Sequence, residues 1–230
     1  MKTRLTLLGA AAVLALAPMA AQADVSANVA VTSKYKYRGQ DQSDPAKGVL
    51  PAIQGGFDYS SGGLYLGNWN SAVGFGNGTE MDFYGGYRGT AGAVAYDVGL
   101  LHYYYPGVSD LGTTELYASV GFGPVSLKYS STVSKKYFGV AEGRGTGYLE
   151  LKASLPVGDK ITLVGVLGNT LFSSGAKDLG AVNYSDYKLG ADFAVAEGYT
   201  LGLAFIGANK KADYGDLNKG RVVLTLTKSL

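Results

Sequence analysis

The chain has 230 residues, with 20 lysines and arginines against 18 aspartates and glutamates, no cysteine, and one histidine, His102. This near balance of charge gives no general argument for nucleic-acid binding, and the lack of cysteine excludes disulfides and thiol chemistry. A single histidine also removes most metal sites, so we predict a protein without a bound metal or cofactor.

The N-terminal segment has the pattern of an export signal. A charged start, an apolar stretch over 5–17 and a small-residue cleavage site give residues 1–23 the features of a secretory signal peptide. The apolar stretch is shorter than the ~20 residues that a transmembrane helix needs. We therefore predict cleavage between Ala23 and Asp24, and one exported domain of residues 24–230.

The first predicted strand is unusually long. Residues 25–38 alternate for fourteen positions between an apolar to aromatic face and a polar to basic face. Strands of soluble proteins are usually about 5–6 residues long, whereas a strand that crosses a bilayer needs about 9–11 residues and turns one face to lipid. We predict a membrane-crossing strand with Tyr35 and Tyr37 at the outer interface and Lys34, Lys36 and Arg38 facing inward.

Eleven further segments follow, most with the same period of two. The phase is unreadable in two of them, 64–73 and 160–171, because large apolar residues fall on both parities. The eleven segments are 49–60, 64–73, 79–88, 93–105, 114–122, 125–134, 147–155, 160–171, 185–195, 199–207 and 221–230. The sequence thus predicts twelve strands.

The connections between these strands alternate in length. Short, mostly glycine- or proline-containing turns lie at 61–63, 89–92, 123–124, 156–159 and 196–198. Longer loops lie at 39–48, 74–78, 106–113, 135–146, 172–184 and 208–220. Tight turns at one end and longer loops at the other are typical of outer-membrane barrels, and an even strand number puts both termini on the periplasmic side.

Charged residues gather on the parity opposite to the apolar one. In a soluble sheet they would form the solvated face, so the charges alone do not decide between a soluble and a membrane protein; strand length and loop alternation favour a single antiparallel, up-and-down, twelve-stranded transmembrane β-barrel. In such a barrel the inward residues would be Lys34, Lys36, Arg38, Asp58, Glu80, Asp82, Arg88, Asp97, Glu115, Lys128, Glu150, Lys152, Asp186, Lys188, Asp192 and Arg221.

Several stretches also resemble a known family. VAVTSKYKYRGQDQSD, PAIQGGFDYSSGGLYLGNW, MDFYGGYRG, YDVGLLHYYYPG and the closing RVVLTLTKSL resemble the TorF family of outer-membrane porins (the Gcw_chp group). The resemblance implies a barrel in the outer membrane of a Gram-negative bacterium and a channel role; it carries over no functional site and no solute. Such chains commonly end in an aromatic residue, whereas this one ends in Leu230, which bears on its recognition by the barrel-assembly machinery.

Two functions are compatible with these patterns. In the first, small polar solutes diffuse passively through the barrel. A transverse field would then cross the pore mouth. Its basic side is the upper wall of the first and last strands, with Lys34, Lys36, Arg38 and Arg221, and its acidic side is the opposite upper wall, with Glu80, Asp82, Glu115, Glu150 and Asp186. In the second, the charges pair across a collapsed interior, and a non-conducting barrel acts in structure or surface recognition through its loops.

An enzyme is the least supported function. Barrel hydrolases rely on a histidine paired with a serine or aspartate, and the only histidine, His102, shares the outward parity of an aromatic belt. We therefore predict no catalytic residues. The partners that remain are outer-membrane lipid, the assembly machinery and small polar solutes.

Overall fold

The computed structural model of the protein describes residues 23–43 and 51–230. The predicted signal peptide lies outside the described residues except for Ala23, as do residues 44–48 of the first predicted loop and 49–50 of the second predicted strand. The first strand begins at Asp24.

Twelve antiparallel strands form a closed barrel in which each strand pairs with its sequence neighbours, and the first strand closes the ring against the last. The barrel strands are β1 Asp24–Thr32, β4 Ala52–Ser61, β5 Leu64–Ala72, β6 Thr79–Ala91, β7 Val94–Tyr104, β8 Thr113–Phe122, β9 Val125–Thr132, β10 Gly147–Val157, β11 Ile161–Leu171, β12 Tyr184–Ala196, β13 Tyr199–Ala208 and β14 Arg221–Ser229. Two short strands, β2 Lys36–Tyr37 and β3 Gln40–Asp41, pair only with each other. The predicted twelve-stranded up-and-down barrel is confirmed.

Side chains alternate between the outside and the inside of the barrel, with a register shift between Ala194 and Ala196 on β12. Leu189 on β12 is 71% exposed and Val222 on β14 is 66% exposed, whereas the neighbouring inward Val223 is only 5% exposed. The exposed apolar side chains extend around the barrel, a surface far larger than soluble monomers expose. The outside is therefore suited to a hydrocarbon environment.

The structure also settles the two strands whose phase the sequence left open. On β5, Leu64 and Leu66 point outward while Tyr65 is buried inside. On β11, Leu167 is outward and Val164 is buried inside.

The longer loops fold over one end of the barrel, which we call the loop end. They include the helices α1 Ser174–Asp178 and α2 Lys211–Tyr214 and a single 3-10 turn, Gly215–Asn218. The small core under these loops consists of Tyr137, Phe172, Ala176, Tyr184 and Ala208. Within the part of the chain that the structure describes, every helix is too short or too polar to cross a membrane.

The predicted first strand, 25–38, is wrong at its C-terminal end. β1 stops at Thr32, and residues 33–43, which we call the inward hairpin, leave the wall and fold into the barrel. Arg38 and Gly39 have φ values of +46° and +74°, as a two-residue turn requires when both central residues are left-handed. Tyr35 is 8% exposed and Tyr37 contacts an inward tyrosine, so neither lies at the outer interface.

Candidate functional site in the barrel interior

Arg38 at the tip of the inward hairpin is bound on several sides. Its Nη1 and Nη2 donate to Glu115 Oε1 at 2.9 Å and Oε2 at 2.7 Å, a bidentate ion pair with side chains 6% and 2% exposed. Nη1 also donates to the hydroxyl of Tyr137 at 3.0 Å. The guanidinium lies 4.1 Å from the ring centroid of Tyr148 on β10, within cation–π range. The tip is thereby joined to β8, to β10 and to the loop between β9 and β10.

A second ion pair is internal to the hairpin. Lys34 Nζ lies 3.0 Å from Asp41 Oδ2, with side-chain exposures of 3% and 0%. Lys36 instead donates to two backbone carbonyls, Leu217 O at 3.3 Å and Lys219 O at 2.6 Å. Burial, together with the nearby Arg221, lowers the pKa of Lys36 to about 8, so the ammonium still carries its charge at neutral pH.

Glu80 on β6 accepts two tyrosine hydroxyls. Tyr35 donates to Oε1 at 2.7 Å and Tyr105 donates to Oε2 at 2.5 Å. Burial, reinforced by the Glu80 carboxylate, raises the pKa of both phenols, so they stay protonated as donors. The Tyr35 ring also packs edge-on against Trp69 on β5, with centroids 5.5 Å apart. The base of the hairpin is therefore fixed to β5 and β6.

Aromatic rings fill the space beside the hairpin. The hydroxyls of Tyr37 and Tyr103 lie 2.5 Å apart. Phe138, from the loop between β9 and β10, is edge-on to Tyr37, Tyr103 and Tyr137 at centroid distances of 5.7, 4.8 and 4.8 Å. This loop therefore enters the barrel too, and the interior at the loop end is packed rather than open.

Gly39 allows the hairpin to touch the far wall. A Cβ at this position would lie 2.5 Å from Asp186 Cβ on β12 and 2.7 Å from Gly207 O on β13. The positive φ of Gly39 disfavours any other residue as well. Since Gln40 donates to Asn218 Oδ1 at 2.9 Å, the hairpin reaches from β6 to the segment before β14 and spans the lumen.

These contacts correct one predicted feature of the charge distribution. Lys34, Lys36 and Arg38 are not part of the upper wall, because the chain has left the sheet after Thr32. Arg38 instead lies against the acidic wall at Glu115. A basic wall facing an acidic wall across an open mouth is therefore wrong for this region, where opposite charges are in contact.

The structure places the predicted residues on β4 to β8 on the inner side of the barrel wall, where tyrosines donate hydrogen bonds to several of the acidic ones. Tyr84 donates to Asp58 at 2.6 Å and Tyr65 donates to Asp97 at 2.5 Å. Arg88 lies over the Tyr65 ring, 5.2 Å from its centroid. Asp82, 7% exposed, keeps one carboxylate oxygen that no described group binds by a hydrogen bond.

The remaining predicted residues lie on β9 to β14, on the same inward parity. Lys128 lies opposite Glu150 in the register of β9 and β10 and contacts the ring of Tyr117, 4.0 Å from its centroid. The others, distributed over β10, β12 and β14, are Lys152, Asp186, Lys188, Asp192 and Arg221. The structure thus brings together the predicted residues around the inward hairpin, whereas the other predicted residues are spread over the inner face of the barrel.

The aromatic part of this site does not follow from the sequence. Trp69 lies in a strand whose phase the sequence does not reveal, and Tyr137 and Phe138 lie in a predicted loop. A signal for the hairpin was present in the Arg38-Gly39 step, since glycine in the middle of an apparently continuous strand often marks a turn or close approach.

The half-buried His102 points outward, and its Nδ1 lies 2.9 Å from Thr114 Oγ1. Among the described residues, no three acidic, histidine or cysteine side chains are grouped so that they could hold a metal ion.

Comparison with known proteins gives a family and a fold. Residues 17–229 match the model of the family Gcw_chp, described as a bacterial protein of unknown function. The NanC porin superposes with a TM-score of 0.57 at 8% identity, covering 87% of this chain and 97% of that one. A membrane protein solved in work on in-meso crystallization gives the same TM-score and identity, with coverages of 90% and 83%. None of the curated proteins matches the chain.

Proposed function

Because the chain belongs to the Gcw_chp family and folds as a closed barrel of porin-like architecture, we propose that it is an outer-membrane channel for passive diffusion of small polar solutes. Its narrowest part is the loop-end half of the lumen, which the inward hairpin occupies. The proposal includes export by a cleaved signal peptide and insertion by the barrel-assembly machinery.

The observation that carries the proposal is the separation of the two barrel faces. Large apolar side chains cover the outside, whereas every strand turns charged or hydroxyl-bearing side chains toward the inside, with some apolar ones among them. A soluble barrel would bury its apolar face and expose its charges. A charged lumen inside an apolar wall is the arrangement that admits water and polar solutes across a bilayer.

The strand number agrees with a narrow channel. Eight-stranded barrels are filled by their own side chains, whereas barrels of 16–18 strands leave an open aqueous channel. Twelve strands lie between these limits, and the barrel is wide enough to hold the eleven-residue inward hairpin. The porin role implied by the resemblance to the TorF family, and the porin named among the structural relatives, support the same function.

Single-channel recording in a planar bilayer tests the proposal. Folded, heat-modifiable protein should produce discrete conductance steps that are small for a porin, because the hairpin leaves only a narrow path. Protein that inserts in the folded state but gives no steps at any holding potential would refute the channel.

A second function is favoured by the packed loop end. The hairpin, Phe138 and the core around Tyr137 and Phe172 fill this end of the barrel, as expected for a closed barrel that acts in surface recognition through its loops. That function predicts no conductance, together with a phenotype when loop 208–220 is deleted.

A further inference from the structure

From β10 to β14, one row of the barrel wall carries basic and apolar residues. In the strand register, Lys152 on β10 lies opposite Val166 on β11, which lies opposite Lys188 on β12. Lys188 in turn lies opposite Ile206 on β13, which lies opposite Arg221 on β14. All five residues share the inward parity, so three cations occur on alternate strands with an apolar residue between them.

The spacing and direction of this row suit a path for an ion. Neighbouring strands are about 4.7–4.9 Å apart, so successive cations are separated by roughly 9–10 Å along the wall. Lys152 is five residues from the loop end of β10, Lys188 is four from that of β12, and Arg221 is at the loop end of β14. The row therefore rises toward the loop end as it passes around the lumen.

Lys36 of the inward hairpin continues the row. Its Nζ binds the carbonyls of Leu217 and Lys219, directly before β14, and Arg221 is close enough to disfavour its charge. The guanidinium of Arg221 has a buried Nε that finds no hydrogen-bond partner among the described residues. An unsatisfied buried donor on a cation is a site that an anionic oxygen would satisfy.

Acidic residues of the same inward faces flank the row: Glu150 and Asp186 lie two positions from Lys152 and Lys188, and Asp192 lies four positions from Lys188. Glu150 lies opposite Lys128, and Asp186 accepts a hydrogen bond from Tyr148 at 3.2 Å, beside Arg38. The neighbouring row has a different pattern, since Arg88 lies opposite Asp97 and Lys128 opposite Glu150. In that neighbouring row each cation lies opposite a carboxylate, whereas the charged residues in the row through Lys188 are all positive.

We propose that Lys152, Lys188, Arg221 and Lys36 form a track for small solutes that carry carboxylate or phosphate groups. The track deepens the channel function proposed above and rests on it, because it names the class of solute that the channel favours. Cations at separate points of a wall let an anion move from one to the next without a deep trap, as conduction requires.

The test compares two double variants that each remove one inward lysine and one inward arginine. Lys188→Gln with Arg221→Gln removes charges from the track, and Lys128→Gln with Arg88→Gln removes them from the row of opposite pairs. Reversal potentials in a potassium chloride gradient should show anion preference in the native protein. The track variant should lower the anion-to-cation permeability ratio at least about threefold more than the control variant, because a field of one sign sets ion preference.

Citrate binding to the folded protein in detergent, measured by calorimetry, gives a readout that needs no conductance. The track variant should weaken citrate binding by at least about tenfold, equivalent to 1.4 kcal/mol, and the control variant by less than about threefold. Equal effects of the two variants, or no citrate binding by the native protein at millimolar concentration, would overturn the track. If the barrel gave no conductance but citrate binding still weakened in the track variant, the channel would be refuted and the anion track would stand.

Discussion

At the scale of single residues, Arg38 is the most strongly held group of the interior. It combines a bidentate ion pair with Glu115, a hydrogen bond from its guanidinium to Tyr137, and stacking on Tyr148. Both partners of the ion pair are almost fully buried, so their desolvation is costly and is offset only while the pair stays intact. Much of what positions the hairpin tip therefore passes through this one side chain.

Replacement of Arg38 by alanine should destabilise the folded barrel by about 3–5 kcal/mol, because it leaves the Glu115 carboxylate buried without a counter-charge. Adding Glu115→Gln should recover part of this loss, since the second change removes the unpaired charge. The free energy of unfolding in urea of the detergent-folded protein measures both effects.

The exposed ion pair between Lys136 and Asp110, at 2.7 Å, provides the control. Its side chains are 39% and 74% exposed, and pairs of that kind contribute about 0–1 kcal/mol. If Lys136→Ala destabilised the protein as much as Arg38→Ala, the buried pair would not be what holds the hairpin.

At the scale of elements, the twelve strands could be predicted and the hairpin could not. On β12 the sequence alternates between inward Lys188 and outward Leu189, and such alternation identifies both the strand and its phase. On β5 the outward face includes Asn68, whose amide donates to the carbonyl of Asp82 at 3.1 Å, so polarity no longer marks the inside. The alternation of residues 33–38 continues that of β1, and a side-chain pattern does not reveal that the backbone has left the wall.

Deletion of residues 34–41 should enlarge the channel, because it removes the element that crosses the lumen at the loop end. Conductance should rise several-fold, and selectivity should shift toward cations. The deleted segment carries Lys34, Lys36 and Arg38 against Asp41, and the wall that remains at this level contains Glu80, Asp82, Glu115 and Asp186.

A variant with Lys135→Gln and Lys210→Gln serves as the control for this deletion. Both lysines are exposed on loops, so the variant removes the same two net positive charges from outside the lumen. Its conductance should stay at the native value. An unchanged conductance after the hairpin deletion would mean that solutes do not pass this level of the barrel.

At the scale of the whole molecule, the apolar exterior determines the environment in which the barrel is stable. Leu151, for example, is 45% exposed in the middle of β10. Exposure of so many outward apolar side chains is unfavourable in water and favourable in lipid. The parity of the sequence predicts the same faces, because an apolar outer wall and a charged interior differ so strongly in polarity. The contacts inside the lumen could not be assigned, since they join residues far apart in the chain.

Leu151→Arg should destabilise the barrel in phospholipid vesicles by about 2–4 kcal/mol, the cost of a charged side chain on the lipid face near the bilayer midplane. Leu179→Arg is the matched substitution, because Leu179 is 64% exposed but lies on a loop after α1, and it should cost little. Equal effects of the two arginines on the free energy of unfolding would contradict a bilayer around the strands.

The inward hairpin also has a consequence for the order in which the chain folds. Arg38 is 77 positions from Glu115, and Gln40 is 178 positions from Asn218. Contacts at such sequence separation form late, because the loop-closure entropy must be overcome before they contribute. Although the hairpin follows the first strand, it reaches its final contacts only after the segment before the last strand is in place. Closing the seam between β1 and β14 and narrowing the lumen are therefore expected to be nearly simultaneous, so that the nascent barrel remains unobstructed until its chain is complete.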